Sequence, residues 1–226
     1  MHRGRNGGKF RGDSVAVNYK TLIVGPIATN CYIVYDNSRD SAVVIDPGAE
    51  AERIIAALEE NKLKLKAIIN THGHGDHIKE NKTLKQKYNC PIYIHKDDSD
   101  FLDNPDLNGS ILIGNPFTSP KADHFLKDGE VLDIDGMRFS VFHTPGHTPG
   151  GVCLKIDGLL FTGDTLFCGT VGRCDLPGGD GEKLKKSLKI FDSFPGETII
   201  LPGHENKCVL SIDRNHNPFL KADFNQ

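Results

Sequence analysis

A chain of 226 residues is long enough to bury one full hydrophobic core. It is 38% hydrophobic and 25% charged, a balance ordinary for a globular protein, and no apolar run nears the ~20 residues of a membrane span. Net charge is −3, and four of the 27 basic residues but one of the 30 acidic ones fall in the first thirteen positions, which leaves the body at −6 and argues against a large nucleic-acid footprint.

Residues 1–14, rich in Gly and Arg, read as a disordered extension, and 15–226 as a single domain. No apolar stretch near the start marks a secretory signal, so a cytoplasmic protein with neither membrane nor nucleic-acid partner is expected. The oligomeric state is left open. Cys31, Cys90, Cys153, Cys168, Cys174 and Cys208 form no C-x-x-C pair and read as reduced thiols.

The spacing predicts strands over 15–24 and 31–35, a turn at 36–38, and a strand over 42–45 whose unbroken apolar character implies burial on both faces. Asp46 ends that strand and is placed to orient a metal ligand from behind. A helix follows over 51–61, with Ile54, Ile55 and Leu58 as its apolar stripe. A strand over 65–70 delivers the segment Asn70-Thr71-His72-Gly73-His74-Gly75-Asp76-His77-Ile78. Asp76 is expected to cap the next helix, which runs through 84–87. A strand over 91–94 and a long loop over 103–123 complete this half, the loop forming one wall of a cleft.

The second half pairs strands 131–134 with 138–142 and 152–156 with 159–161, around Asp135-Gly136 and Asp157-Gly158. His147 sits in a Pro-Gly-His-Thr-Pro-Gly turn, Asp164 follows Thr162-Gly163, and His204 follows the strand 198–201 and Pro202-Gly203. Helices are expected over 183–194, with Leu184, Leu188 and Phe191 inward, and over 207–213. Strands and helices alternate in both halves, which divide near Asp123. The pattern fits two sheets face to face with helices outside, and every candidate polar residue lies just after a strand, along one edge.

Imidazole and carboxylate are the donors that zinc, iron and manganese accept. His72 and His74, two apart on an extended segment, point the same way. With His147 they make one three-histidine site. Asp76, His77 and His204 make a second, and Asp164 is placed to bridge. Two divalent ions are therefore expected, zinc first, with iron or manganese as alternatives. Ions sharing a water lower its pKa and present hydroxide at neutral pH, with Asp76 as the catalytic group that holds it and takes up its proton.

The set His72-x-His74-x-Asp76-His77, with His147, Asp164 and His204, resembles the ligand set of the metallo-β-lactamase superfamily over about residues 17–220. The resemblance implies an α/β, four-layer αββα sandwich with a binuclear metal site at one edge. Thr144 to Gly150, Phe161 to Phe167, Gly172-Arg173 and Pro202 to Glu205 are similar to the glyoxalase II branch, and Gly172 to Asp180 with Asn217 to Leu220 to its short, single-domain bacterial type. What this implies is a hydrolase of a small thioester such as S-lactoylglutathione, with Arg173 at the substrate. The full-length family carries a further C-terminal helical domain that holds glutathione. This resemblance ends before one, and Asp175 and Asn206 stand where the family has tyrosines.

Arg173 either pairs with a substrate carboxylate or braces its loop. Two other activities fit the same residues. A persulfide dioxygenase would need a single iron on His72, His147 and Asp164, although Pro202-Gly203-His204-Glu205 resembles the hydrolase pattern instead. A hydrolase of other esters or lactones would share the whole site.

Overall fold

The structure, a computed structural model, describes residues 17–36 and 38–221. The expected N-terminal extension, the start of the first predicted strand and Asn37 of the predicted turn lie outside the described residues.

One six-stranded sheet runs β1 (Asn18–Val24), β2 (Thr29–Asp36), β3 (Ser41–Ile45), β4 (Lys64–Ile69), β5 (Ile92–His95), β6 (His124–Leu126) in spatial order. Its first pairings are antiparallel, and those from β3 to β6 are parallel. The second sheet contains β7 (Val131–Ile134), β8 (Met137–His143), β9 (Val152–Ile156) and β10 (Leu159–Gly163). Beyond β10 it adds β13 (Ile199–Pro202) and β14 (Cys208–Val209), in the order β14-β13-β10-β9-β8-β7. A separate hairpin joins β11 (Leu166–Phe167) and β12 (Thr170–Val171).

Alternation along β2 shows how the layers form. Tyr32 and Val34 face the second sheet, and Cys31 and Ile33 face the helices. The seam between the sheets is filled by Val43, Ile45, Ile69, Phe139, Leu154 and Phe161. Outside the first sheet lie α1 (Ala51–Glu60) and α3 (Asn81–Tyr88), which contribute Ile54, Leu58 and Leu84. Outside the second sheet, α4 (Gly181–Ser187) and the 3₁₀ helix Leu188–Ser193 contribute Leu184, Leu188 and Phe191. Each such side chain stabilises the fold by about 1.5–3 kcal/mol. These are the four layers expected, and β3 is buried along its whole length because it has core on both faces.

Several boundaries differ. The halves divide after Leu126 rather than near Asp123, because His124 pairs with Tyr93 and extends the first sheet. The helix predicted over 183–194 tightens to 3₁₀ geometry halfway, with the same three residues inward. The last helix, α5 (Leu210–His216), starts three residues later than predicted, because Val209 pairs with Ile199.

The expectation of six reduced cysteines is corrected. Cys168 and Cys208, 40 residues apart, form a disulfide, while Cys31, Cys90, Cys153 and Cys174 are free. The β11–β12 hairpin folds back to β14 and is held there by α5 and the residue after it. Gly169 N donates to Asp213, and Asn217 donates to the Phe167 and Thr170 carbonyls. Among the described residues no helix is long and apolar enough to cross a membrane.

Candidate metal centre

The loop after β4 is fixed from below. Asn70 donates to the His77 carbonyl at 3.0 Å and accepts from Asn81 at 2.8 Å, so both ends of the loop rest on one buried amide pair. His72, His74 and His77 are buried. Asp76 lies inside the four-residue helix α2 (Gly75–Ile78) and does not cap the next helix, contrary to expectation. Its carboxylate turns into the site, where Oδ2 accepts from the Thr29 hydroxyl at 2.8 Å.

The second sheet supplies the rest from its strand ends. His147 Nε2 comes to 2.8 Å from His74 Nδ1, and His204 Nε2 to 3.4 Å from His77 Nε2. Nitrogens this close share one focal point. Donor atoms of His72, His74 and His147 lie within 4.8 Å of one another, as do those of Asp76, His77 and His204. Asp164 spans the two groups. Its Oδ2 is 3.4 Å from His147 Nε2 and 3.6 Å from His204 Nε2, and its Oδ1 is 3.5 Å from His77 Nε2. The structure thus brings together all seven residues singled out in the sequence.

Asp46 sits behind them, in a left-handed conformation (φ 54) that aspartate tolerates better than most residues. It accepts from the Thr71 amide and hydroxyl at 2.7 and 2.6 Å, and meets His77 Nδ1 at 3.1 Å. With Nδ1 engaged there, Nε2 of His77 is left for the site. His147 is fixed likewise, its Nδ1 donating to the Arg173 carbonyl at 2.7 Å.

The electrostatics separate the two groups. Burial, reinforced by the neighbouring imidazoles, pushes His72 well below the ordinary histidine range and His74 down to about 3. At His77 burial opposes the charge, but Asp76, Asp164 and Asp46 outweigh it and raise its pKa well above the ordinary value. His204 is raised also, its burial offset by the hydrogen bond to Asp76 and by Asp164. Asp76 is held well below the carboxylate range by His77 and His204, again against its burial.

The donor set fits divalent cations. His72 Nε2 and Asp164 Oδ1 are buried with no hydrogen-bond partner among the described residues. Such orphans cost about 1–3 kcal/mol each unless something satisfies them. Gly203 and Gly172 keep the space open. A Cβ on Gly203 would overlap Asp164 Oδ1 and His77, and one on Gly172 would overlap the Asp164 carbonyl.

The centre floors a cleft of about 500 Å3, walled by Phe167, Arg173 and Glu205 and, from the loop over 103–123, by Asn108 and Leu112. Asn108 is itself a support, since its carbonyl accepts from Gly75 N at 2.7 Å. The Arg173 guanidinium lies at the rim, exposed, and pairs with Asp175 rather than with backbone carbonyls.

Two residues of the site escape sequence reasoning. Buried Asp98 accepts from Gly73 N, Thr148 Oγ1 and Gly150 N, and so joins the two histidine loops. Thr29 holds Asp76. Neither carries a local signal, because their partners lie 25 to 52 residues away. His95 stacks on His143 at 3.9 Å, and His124 on Tyr93 at 4.8 Å.

The family model for the metallo-beta-lactamase superfamily matches residues 24–204. The hydroxyacylglutathione hydrolase GloC of Haemophilus influenzae is 36% identical over 215 residues, covering 91% of this chain and 99% of its own length. Among solved structures, the B3 metallo-beta-lactamase BLEG-1 superposes with a TM-score of 0.87 at 40% identity, covering 91% of this chain and all of its own. TTHA1623, in a di-iron-bound form, gives 0.81 at 35% identity, covering 89% and 100%.

Proposed function

The chain belongs to the metallo-β-lactamase superfamily, whose members are mostly metal-dependent hydrolases, and from that premise we propose that it hydrolyses a small thioester such as S-lactoylglutathione. The observation that carries this reading is the pairing of two donor clusters across one carboxylate, Asp164, at the floor of an open cleft. In this reading His72, His74 and His147 would hold one divalent ion and Asp76, His77 and His204 another, with the Asp164 carboxylate lying between the two groups. Zinc, iron and manganese all suit these donors, and a similar protein binds two irons. Bound there, such ions supply Lewis acidity, which activates a water and polarises the scissile carbonyl.

The chain's own groups do the rest. Asp76, held in place by the Thr29 hydroxyl, receives the proton of the attacking water at its carboxylate. Asp46 and the Arg173 carbonyl keep His77 and His147 in the tautomer that offers Nε2. The cleft admits a thiol arm beside Phe167 and Arg173.

A thioester panel on protein of measured metal content tests this. Thiol release from S-lactoylglutathione is expected, with both hydrolysis and metal content reduced in Asp164→Ala. Absence of thiol release from every lactoyl thioester would sink the reading. A persulfide dioxygenase would leave Asp76, His77 and His204 without work, and is recognised by oxygen uptake with glutathione persulfide.

A further inference from the structure

The cleft has a neighbour. A pocket of about 210 Å3 shares Ile27 and Asp76 with it; its lining also includes Val24, Pro26, Ala49 and Phe117, the polar Thr29 and Asn115, and Lys79. Ile27 is 53% exposed, an apolar side chain standing between the two spaces with nothing covering it. Lys79 lies three residues after Asp76 and caps the same helical turn, its amide donating to the Gly75 carbonyl at 3.1 Å. Residues three apart share a helix face, so an ammonium is set about one turn from the group to which proton transfer was assigned. Its nitrogen stands 6.0 Å from the Phe117 ring centre, and no carboxylate among the described residues pairs with it.

We propose that this pocket is an acyl subsite: it receives the acyl arm of the substrate, a short apolar chain ending in a carboxylate that Lys79 binds. The inference rests on the thioester-hydrolase reading above. Its argument is one of size and chemistry. The volume equals about seven water-sized groups, room for a chain of about four or five carbons with its terminal oxygens. The larger cleft is left for the bulkier thiol arm. Apolar walls suit the methylenes, and a charge-assisted bond to an ammonium selects a carboxylate over a methyl end. A lactoyl group would leave the far end of the pocket unfilled.

The test uses N-acetylcysteamine thioesters, which fix the thiol arm. Wild-type protein of measured metal content is expected to prefer glutaryl over butyryl by about tenfold in kcat/KM. Lys79→Met should lower that ratio by about tenfold, and Lys79→Arg should restore most of it. Calorimetry with glutarate against butyrate, on the same samples, should follow the same order. A glutaryl-to-butyryl ratio equal in wild type and Lys79→Met, with thioesters still hydrolysed, overturns the acyl subsite and leaves the hydrolase reading standing. No hydrolysis of any thioester, with Lys79-dependent binding of glutarate, overturns the hydrolase reading and leaves the carboxylate site.

Discussion

Arg173 and Asp175 close on each other at the rim of the cleft through two bonds of 2.6 Å, Nε to Oδ1 and a terminal nitrogen to Oδ2. Both side chains are more than 60% exposed, so the pair adds little to stability, and its effect is on what the rim offers a ligand. Asp175 neutralises Arg173, the one cation lining that wall among the described residues. Replacing Asp175 by Asn should therefore raise kcat/KM for S-lactoylglutathione about three- to tenfold relative to the uncharged S-lactoyl-N-acetylcysteamine, and more at low salt. Arg173→Met should erase that gain. A ratio unchanged in Asp175→Asn would show that the thiol arm does not reach this wall.

Asp98 ties the two histidine loops together with three accepted hydrogen bonds, at 2.9 Å from Gly73 N, 2.7 Å from Thr148 Oγ1, and from Gly150 N. Asp98→Ala would leave three buried donors unpaired, a loss of about 3 kcal/mol or more in denaturant unfolding. Asp98→Asn keeps the shape but turns an amide donor toward one of the two N–H groups, and should lose less. Metal affinity should fall in both, because Gly73 lies between His72 and His74. Unchanged unfolding midpoints would contradict the bracing role.

The two donor clusters should part company as pH falls. His77 and His204 have raised pKa values, so a cation entering their cluster must displace protons. Affinity there should drop by about tenfold per pH unit for each proton displaced as pH falls below the raised values. His72 and His74, the latter at about 3, are already neutral at pH 6 and release none. Lowering the pH should thus empty the Asp76, His77 and His204 cluster first. Metal content after dialysis at graded pH, and proton release in buffers of different ionisation heat, measure this. Simultaneous loss of both metals would count against it. In the metal-free fold the direction is opposite: His77 adds stability below its unfolded pKa that is lost as pH rises through the raised one.

Alkylation should count the thiols in steps. Burial pushes Cys90 and Cys153 up to about 11 and Cys31 well above its ordinary value, so all three should stay silent in native protein at about pH 7.5. Half-buried Cys174 should react first, though slowly, since burial raises it also. Mass spectrometry should find four labels after denaturation and six after denaturation with reduction. Six without reductant would mean that Cys168 and Cys208 are not joined.

Much of the site was legible because its residues sit in short, glycine-flanked segments immediately after strands. His72, His147, Asp164 and His204 each follow a clear apolar run, and such runs fix where a sheet ends. Asp98 was not legible, since its partners Gly73 and Gly150 approach only when the sheets dock. The bond between Cys168 and Cys208 escaped because its ends, 40 residues apart, meet only when the β11–β12 hairpin folds back to β14. Val209 was read as helix because a two-residue strand has no period to detect. Asp76 was expected to cap a helix because aspartate before a polar, helix-favouring run usually does. Here the hydroxyl of Thr29 and two imidazoles compete for it and win.

Each donor cluster takes two members from the loop after β4 and its third from a strand end of the other sheet. A cation held by either one is therefore a staple across the seam between the sheets. The disulfide lies within the second half and does not cross that seam. Where the clusters hold ions, the two halves would be joined there by contacts that come and go with metal concentration rather than by a covalent bond. Chelation should then be felt first as faster amide exchange along the cleft edge of the seam, while each half keeps its own interior.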